Sequence, residues 1–340
     1  MRLIAVCRIA IPILASGLVL LALPEVAAAH ARLETSVPSS GAELDEAPSE
    51  VVLDFSEPVE LGLGEVTLSR ADSTPIEIGH ANQPDGSPDM VTAALPALDD
   101  GVYVVSYRVI SADGHPISGD IVFRIGAGGG TPVIESSNRS SDTVGLLYGV
   151  VRALAYISLT IGLGLACAVV TMWRRGWSRV RGTVAVAGWV LAAATWAQFL
   201  LAGPYLAGTG FGDTFEPTRW TQVADTAAGK WWLVRFATLA SLGLVAIAAT
   251  STSPSPARWR VRSSAIAGAL GAAVVVASFV GDGHASAGRF LAVGWIATGI
   301  HIIAMATWLG GLGVLAWGRV PDDPDLVTGV FRRWSVVAAT

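Results

Sequence analysis

Residues 102–110 read VYVVSYRVI. Side chains two positions apart lie on the same face of a β-strand, so the apolar positions from Tyr103 to Val109 form one face. Ser106 and Arg108 lie on the opposite face. This pattern is typical of a strand with one buried and one polar side. Residues 102–110 therefore predict a long, half-buried β-strand.

Five further segments around this stretch have a similar alternating character. They are Val51–Phe55, Glu65–Ser69, Thr74–Ile78, Met90–Ala94 and Ile117–Ile125. Turn residues separate them, for example Pro84-Asp85-Gly86. Residues 30–126 thus contain short strands and no helical pattern, which predicts a small all-β sandwich or barrel.

The second part of the chain is much more apolar. The whole sequence is 52% hydrophobic and only 14% charged, whereas soluble domains are about a quarter charged. A membrane helix needs about 20 apolar residues, and residues 144–340 contain several such runs. The predicted spans are about 144–172, 183–206, 231–250, 264–281 and 291–317. Apolar residues from about 335 predict the truncated start of a sixth span, which would make the chain a fragment of a longer transporter.

The first 29 residues predict a secretory signal peptide. Arg2 and Arg8 precede an apolar run from Ile9 to Leu23, and Ala27 and Ala29 form a small-residue cleavage site. Cleavage after Ala29 would leave residue 30, a histidine, at the N-terminus. Its α-amine and imidazole would then offer two nitrogen ligands to a divalent metal ion.

The distribution of basic residues predicts the orientation of the spans. Residues 127–143, rich in glycine and serine, predict a flexible linker between the exported domain and the first span. Loops on the inner side then carry ten arginines and outer loops three basic residues, in agreement with the positive-inside rule. The inner arginines are Arg174, Arg175, Arg179, Arg181, Arg258, Arg260, Arg262, Arg319, Arg332 and Arg333; the outer residues are Arg219, Lys230 and Arg289. We expect a multi-pass protein of the cytoplasmic membrane, with its N-terminal domain on the extracytoplasmic (periplasmic) side.

The turn between the last two predicted strands contains candidate metal ligands. Asp113 and His115 are two positions apart, so both project to the same side of an extended chain, and Gly114 allows the chain to bend between them. An ordinary Asp-Gly turn followed by a surface histidine explains the same residues. A thiolate site is not expected, since Cys7 and Cys167 both lie in apolar segments.

Three membrane residues suggest a second place for a metal ion. His284 lies at the outer mouth of the fourth span, and His301 lies about ten residues into the fifth, near the middle of the bilayer. Met305 follows one helical turn later on the same face, where a ring and a thioether could hold Cu(I) transiently. The alternative is a buried histidine bonded to a neighbouring helix, with methionine as filler.

Two arginines, Arg152 and Arg235, lie near the outer ends of the first and third spans. A charge inside the bilayer is costly, so each side chain either extends to the membrane surface or pairs inside the bundle. Of these two arrangements, we expect extension to the surface for both.

Residues 30–126 resemble the CopC family of exported copper-binding proteins. The matching parts are His30 after the cleavage site, Pro38 with Gly41, Phe55-Ser56-Glu57-Pro58, Gly101-Val102-Tyr103 and the run from Val109 to Gly119. The resemblance implies an Ig-like (cupredoxin-like) β-barrel that binds Cu(II) through the amine and ring of His30, with Asp113 and His115. It also implies that Glu57 lies close to the metal. Met90 is the only methionine in this domain, so a soft Cu(I) site is not expected there.

The membrane part resembles the CopD family of copper-linked membrane proteins. The matching residues are Gly283-His284-Ala285, His301, Ala306, the run from Trp308 to Leu312, and Phe331-Arg332-Arg333-Trp334-Ser335. The resemblance implies that His284 and His301 lie on a copper route, and that a CopC-like domain is fused ahead of a CopD-like one.

Together these features predict a protein that binds Cu(II) outside the membrane and passes copper inward through its helices. Copper export for resistance is the alternative of the same class. A redox membrane protein, in which His284 and His301 bind haem or reduce copper, is the other alternative. We find no nucleophile–base set or phosphate loop, so an enzyme is not expected. The net charge of −5 comes without a basic tract, so the expected partners are copper and the lipid bilayer and not nucleic acid.

Overall fold

The computed structural model describes residues 31–111, 114–126, 142–172, 176–251, 258–283, 291–316 and 324–339. The predicted signal peptide, His30, Asp113, the predicted linker up to residue 141, and His284 lie outside the described residues.

The N-terminal part is a β-sandwich of two sheets. Its strands are β1 Leu33–Val37, β2 Glu43–Leu44, β3 Glu50–Phe55, β4 Val59–Arg70, β5 Pro75–Ile76, β6 Met90–Ala94, β7 Gly101–Ser111 and β8 Pro116–Ile125. One sheet has the order β1-β3-β6 and the other the order β2-β8-β7-β4-β5. Neighbouring strands are antiparallel except for the short β2–β8 pair. The predicted all-β fold of this part is confirmed.

Strand β7 forms the centre of this core, as its alternation predicts. Tyr103, Val105 and Val109 are each 0% exposed. The ring of Tyr103 stacks on Phe123 with 5.6 Å between centroids, and Phe55 meets Tyr107 edge-on at 5.7 Å. Full burial of such a side chain stabilises a fold by about 1.5–3 kcal/mol, so the apolar face of β7 is a principal source of stability for the sandwich.

Strand β4 is longer than the alternation in Glu65–Ser69 indicates. It begins at Val59, and its pairing with β7 is irregular between Glu60 and Glu65. Gly64 makes this irregularity possible, since a Cβ atom there would lie 2.4 Å from the carbonyl oxygen of Arg108. A bulge of this kind interrupts the two-residue period on which strand prediction depends. The same explanation applies to β1, which has a register shift after Leu33 and was not predicted.

The C-terminal part is helical. The helices within the described residues are α1 Asp142–Met172, α2 Trp177–Ala207, α3 Pro217–Asp225, α4 Ala227–Ser251, α5 Arg258–Gly281, α6 Leu291–Ala316 and α7 Pro324–Ala339, with a short 3-10 helix at Phe211–Phe215. Five of them, in the part of the chain that the structure describes, are long and apolar enough to cross a membrane: 143–172, 177–207, 227–247, 263–281 and 291–314. The chain is a multi-pass membrane protein. The residues assigned to the start of a sixth span are the last turn of α7.

Helices α1 and α6 approach each other closely through two glycines. A Cβ atom on Gly164 would lie 2.2 Å from the carbonyl oxygen of Ala306, and one on Gly310 would lie 2.1 Å from the backbone of Gly164. Small residues allow this kind of backbone contact between membrane helices, where apolar side chains gain little by leaving lipid. The α1–α6 contact therefore depends on the absence of side chains at both positions.

The five-stranded sheet lies directly on one end of the helical bundle. Leu63 and Ile110 are buried in one apolar cluster with Tyr148, Phe199, Leu201, Ala202, Leu206, Val223 and Trp232. The guanidinium of Arg108 donates hydrogen bonds to the carbonyl oxygens of Tyr205 (2.9 Å) and Leu206 (2.5 Å). The polar side of β7 thus faces the membrane domain, and the two domains are packed together.

Candidate metal centre

The loop between β7 and β8 is a tight turn that presents His115 beside the end of β7. The amide of Ser111 donates to the carbonyl of His115, and the amide of Gly114 donates to the carbonyl of Ser111, both at 2.8 Å. Gly114 has φ +81°, a left-handed conformation that favours glycine. The sequence thus folds locally into a turn because glycine separates the two candidate ligands.

The first described residues of the chain lie against this turn. The amide of Ala31 donates to Ser111 Oγ at 3.2 Å, and both residues are buried. Arg32 pairs with Ser56, since its amide donates to Ser56 Oγ at 3.0 Å and its carbonyl accepts from the Ser56 amide at 2.8 Å. The segment of Ala31 and Arg32 therefore connects the His115 turn with the residue before Glu57.

His115 and Glu57 are the two predicted ligands of this domain that the structure describes. Both are half-buried. Among the described residues no three His, Cys, Asp or Glu side chains cluster closely enough to hold a metal ion. That set excludes His30 and Asp113, so the predicted four-residue site stays a prediction.

His115 contacts a residue of the membrane domain. Its Nε2 atom lies 2.9 Å from Nη1 of Arg152 in α1. Arg152 therefore turns toward the protein, and the expectation that it extends to the membrane surface is wrong. The side chain finds a hydrogen-bond acceptor in the docked domain, which a view of the helix alone does not contain.

Arg235 is also buried and paired. It is 0% exposed, and its Nη2 atom lies 2.6 Å from Oδ2 of Asp282. The same guanidinium donates to Ser278 Oγ at 2.9 Å and lies over the ring of Phe279, 3.5 Å from its centroid. Trp232 donates to the same carboxylate oxygen at 2.8 Å. The expectation of surface extension is wrong here too, because α5 and the residue after it supply a hydroxyl, a carbonyl oxygen, an aromatic ring and a carboxylate.

A small cavity connects these two arginines. Its volume is about 10 Å³, close to that of one water-sized sphere. Its lining residues are Gly114, Tyr148, Arg152, Tyr156, Gln198, Ala228, Trp232, Arg235, Phe279 and Asp282. Buried polar atoms of Gln198 and Arg235 (Oε1 and Nη1) have no hydrogen-bond partner in the described residues. The space beneath the His115 turn is therefore polar and narrow, and it carries more positive than negative side chains.

The predicted membrane route is described only in part. His284 lies outside the described residues, two positions after the anchored Asp282. His301 and Met305 are one helical turn apart on α6, and both are exposed, Met305 by 42%. Neither lines the cavity beneath the His115 turn.

No sequence pattern identifies the polar residues around the cavity as one cluster. Gln198, Tyr148 and Asp282 belong to no sequence motif that predicts a site. The available signal was the presence of polar side chains within predicted spans, which usually face the interior of a bundle. Their partners are distant in sequence, so the pairing itself could not be read from spacing.

Two family models match the chain. The CopC domain model covers residues 33–126, and the model of the copper resistance protein D-like N-terminal domain covers residues 141–295. Together they match both parts of the structure.

Individual relatives agree with these models. The copper transport protein CutJ of Bacillus subtilis is 29% identical over 345 residues, which cover 95% of this chain and 60% of CutJ, so the chain spans about three-fifths of that relative. Copper resistance protein C of Pseudomonas syringae pv. tomato is 31% identical to this chain over 122 residues. The aligned part is 34% of this chain and 93% of that protein. Among solved structures, CopC from Methylosinus trichosporium OB3b has 29% sequence identity to this chain and a TM-score of 0.27. The superposed part is 28% of this chain and 93% of that CopC chain. The chain therefore belongs to the CopC family and carries its CopC domain in fusion with a copper resistance protein D-like membrane domain.

Proposed function

We propose that this protein collects Cu(II) on the extracytoplasmic side of the cytoplasmic membrane and passes copper inward through its helices. The proposed Cu(II) ligands are the amine and ring of His30, Asp113 and His115, with Glu57 as a nearby carboxylate. The proposed membrane route follows His284, His301 and Met305, where the thioether favours Cu(I). Two relatives named as a copper transport protein and a copper resistance protein support the choice of metal.

The observation that carries this proposal is the position of Ala31. Its amide bonds to Ser111, at the start of the turn that contains Asp113 and His115. Ala31 directly follows residue 30 in the chain, so its contact with Ser111 supports a ligand set that combines His30 with this turn. The pairing of Arg32 with Ser56 supports a position for Glu57 on the same side.

The chemistry of the donors supports Cu(II) over a softer ion. An amine, two imidazoles and a carboxylate are nitrogen and oxygen donors, which suit the tetragonal geometry of Cu(II). His115 adds an imidazole ring at a half-buried position. Met90 is the only methionine between residues 31 and 126, so this domain lacks the thioethers that favour Cu(I).

The inward direction is supported by the arrangement of the parts. A copper collector on the outer side raises the local concentration of metal at the entrance to the helices. The sandwich packs on the same end of the bundle that contains Asp282, two residues before His284. The excess of arginines in the opposite loops supports an extracytoplasmic position for this end.

Cu(II) titration of the full-length mature chain tests the metal site. Two forms are compared in detergent, one that begins at His30 and one with a single glycine added before it. We expect the added residue to weaken Cu(II) binding by more than about tenfold, a free-energy difference of about 1.4 kcal/mol, because it removes the α-amine from His30. A His115→Ala variant should weaken binding as well. Equal affinity for all three proteins would contradict the proposed site.

A further inference from the structure

The contact between Arg152 and His115 determines which nitrogen of the His115 ring accepts a hydrogen bond. A guanidinium can only donate hydrogen bonds, so the Nε2 atom of His115, 2.9 Å from Arg152 Nη1, must be the acceptor. A neutral imidazole has one lone pair available in the ring plane, on the nitrogen that carries no proton. The proton of His115 therefore lies on Nδ1 while Arg152 is bound.

A metal ion needs the same lone pair. If copper binds Nε2, it takes the place of the Arg152 guanidinium. If copper binds Nδ1, the ring proton must move from Nδ1 to Nε2, where an N–H group then points at the donors of Arg152. In both cases the hydrogen bond between the two residues is lost. Arg152 and copper thus compete for one electron pair, whichever ring nitrogen the metal uses.

We propose that Arg152 is a latch that copper releases: the hydrogen bond from Arg152 holds the His115 turn on α1, and coordination of copper by His115 breaks it. This proposal rests on the proposed function, because it requires His115 to be a copper ligand. Coupling between two binding events is reciprocal. Arg152 therefore lowers the copper affinity of the docked protein, and copper loosens the turn from the membrane domain.

The other contacts between the sandwich and the bundle limit this movement to the turn. The contacts of Arg108 with the carbonyl groups of Tyr205 and Leu206 do not involve His115, and neither does the apolar cluster around Ile110. These contacts keep the sandwich on the bundle while the turn moves. A Cβ atom added at Gly114 would be in ordinary van der Waals contact with the Ala228 Cβ at 3.9 Å, so the turn lies close to the start of α4. Movement of the turn therefore opens the small cavity that Gly114 and Arg152 line together.

Arg152 lines the cavity together with Asp282, Tyr148 and Tyr156, and it already shares a side-chain hydrogen bond with Tyr156. Loss of the His115 contact leaves a donor of the same guanidinium available to the carboxylate and phenol oxygens of this space. Asp282 already binds Arg235, so the arrival of a second guanidinium would reorganise the cluster that precedes His284. Binding of copper at His115 would in this way change the contacts of Asp282, two residues before His284 in the predicted membrane route.

The test measures Cu(II) affinity of the full-length chain with native His30, by competition with a chelator in detergent. Arg152→Met removes the donor and the charge, and we expect Cu(II) to bind roughly five- to 150-fold more tightly, the usual range for coupled sites. Arg70→Met is the matched control, because it removes an arginine of the sandwich that pairs with the exposed Asp99 and takes no part in docking; its affinity should equal that of the wild type. Equal affinity of the Arg152→Met and wild-type proteins would overturn the latch.

Hydrogen exchange of the wild-type protein gives a second measurement that needs no variant. We expect Cu(II) to accelerate amide exchange at residues 114–115 and 228 and to leave the amides of β7 unchanged. Unchanged or slower exchange at those residues would count against release. If His115→Ala binds Cu(II) as tightly as the wild type, the proposed function itself fails. If His115→Ala loses Cu(II) binding, but Arg152→Met binds Cu(II) as tightly as the wild type and exchange at residues 114–115 and 228 does not accelerate, only the proposed role of Arg152 fails.

Discussion

Arg235 lies in a membrane helix without any exposed surface, and its charge is balanced by Asp282 at 2.6 Å. The Ser278 hydroxyl, the Ser278 carbonyl oxygen and the Phe279 ring also contact its guanidinium. A buried pair of this kind gains little over an apolar pair, but the loss of one partner leaves an uncompensated charge. The cluster therefore fixes how α4 and α5 meet at the end of the bundle that faces the sandwich.

This arrangement predicts the effect of breaking the pair. Asp282→Asn should lower the free energy of unfolding by about 3–5 kcal/mol, because Arg235 would keep its charge in a buried position. The double variant Arg235→Met/Asp282→Asn should recover part of that loss. The measurement is denaturant or thermal unfolding in detergent. Arg70→Met is the control, since its ion pair with Asp99 is exposed and should change stability by less than about 1 kcal/mol; an equal loss in both single variants would contradict this account.

At the level of single residues, the sequence predicts positions better than partners. The turn at Gly114 and the buried side of β7 follow from local rules of conformation and alternation. The partner of His115 is 37 positions away, in a helix of the other domain. No periodicity connects such residues, so the contact with Arg152 could be found only in the folded chain.

The elements that meet at the domain interface include β4 and the start of α4. The amide of Ala227 donates to the carboxylate of Glu60 at 3.4 Å, where a negative charge is favourable to the positive end of a helix. Burial nevertheless raises the pKa of Glu60 above its ordinary value of 4.5, although the Ala227 hydrogen bond and Lys230 both act to lower it. The docked state therefore favours the protonated form more than the separated state does.

The sign of this shift predicts a pH dependence of stability. A carboxyl group with a raised pKa contributes most to stability below its ordinary pKa of 4.5, and that contribution is lost as the pH rises through the raised pKa. We expect the unfolding midpoint of the full chain to fall over that range and the fall to be smaller in Glu60→Gln. Glu43→Gln, at an exposed position of β2, is the matched control and should behave as the wild type. An identical pH profile for all three proteins would show that Glu60 contributes nothing.

The strands also show where sequence patterns stop being informative. Residues 102–110 alternate regularly, and β7 indeed spans them with one residue more at each end. The first half of β4 contains Gly62 and Gly64 and an irregular register, so its apolar residues do not follow a two-residue period. Leu63 and Ile110 lie outside the core of the sandwich, and the packed helices explain their burial.

For the whole molecule, the main feature is the direct contact of the sandwich with the helical bundle. Hydropathy and the positive-inside rule predict a multi-pass membrane domain behind an exported one, and the five candidate spans of the described residues agree in number. The sequence predicts a flexible linker between the two parts, and the structure has them in contact through Arg108, Glu60 and Ile110. This packing brings His115, one of the proposed copper ligands, to the end of the bundle that contains Arg152 and Asp282.

The central claim is that copper captured by this outer site is carried inward. The copper content of cells that contain the intact protein measures it directly, against cells that lack the protein and cells with the His115→Ala variant, all grown in the same low copper concentration. Uptake predicts the highest content with the intact protein and similar, lower values in the other two. No difference between the three, or a higher content when the protein is absent, would contradict it.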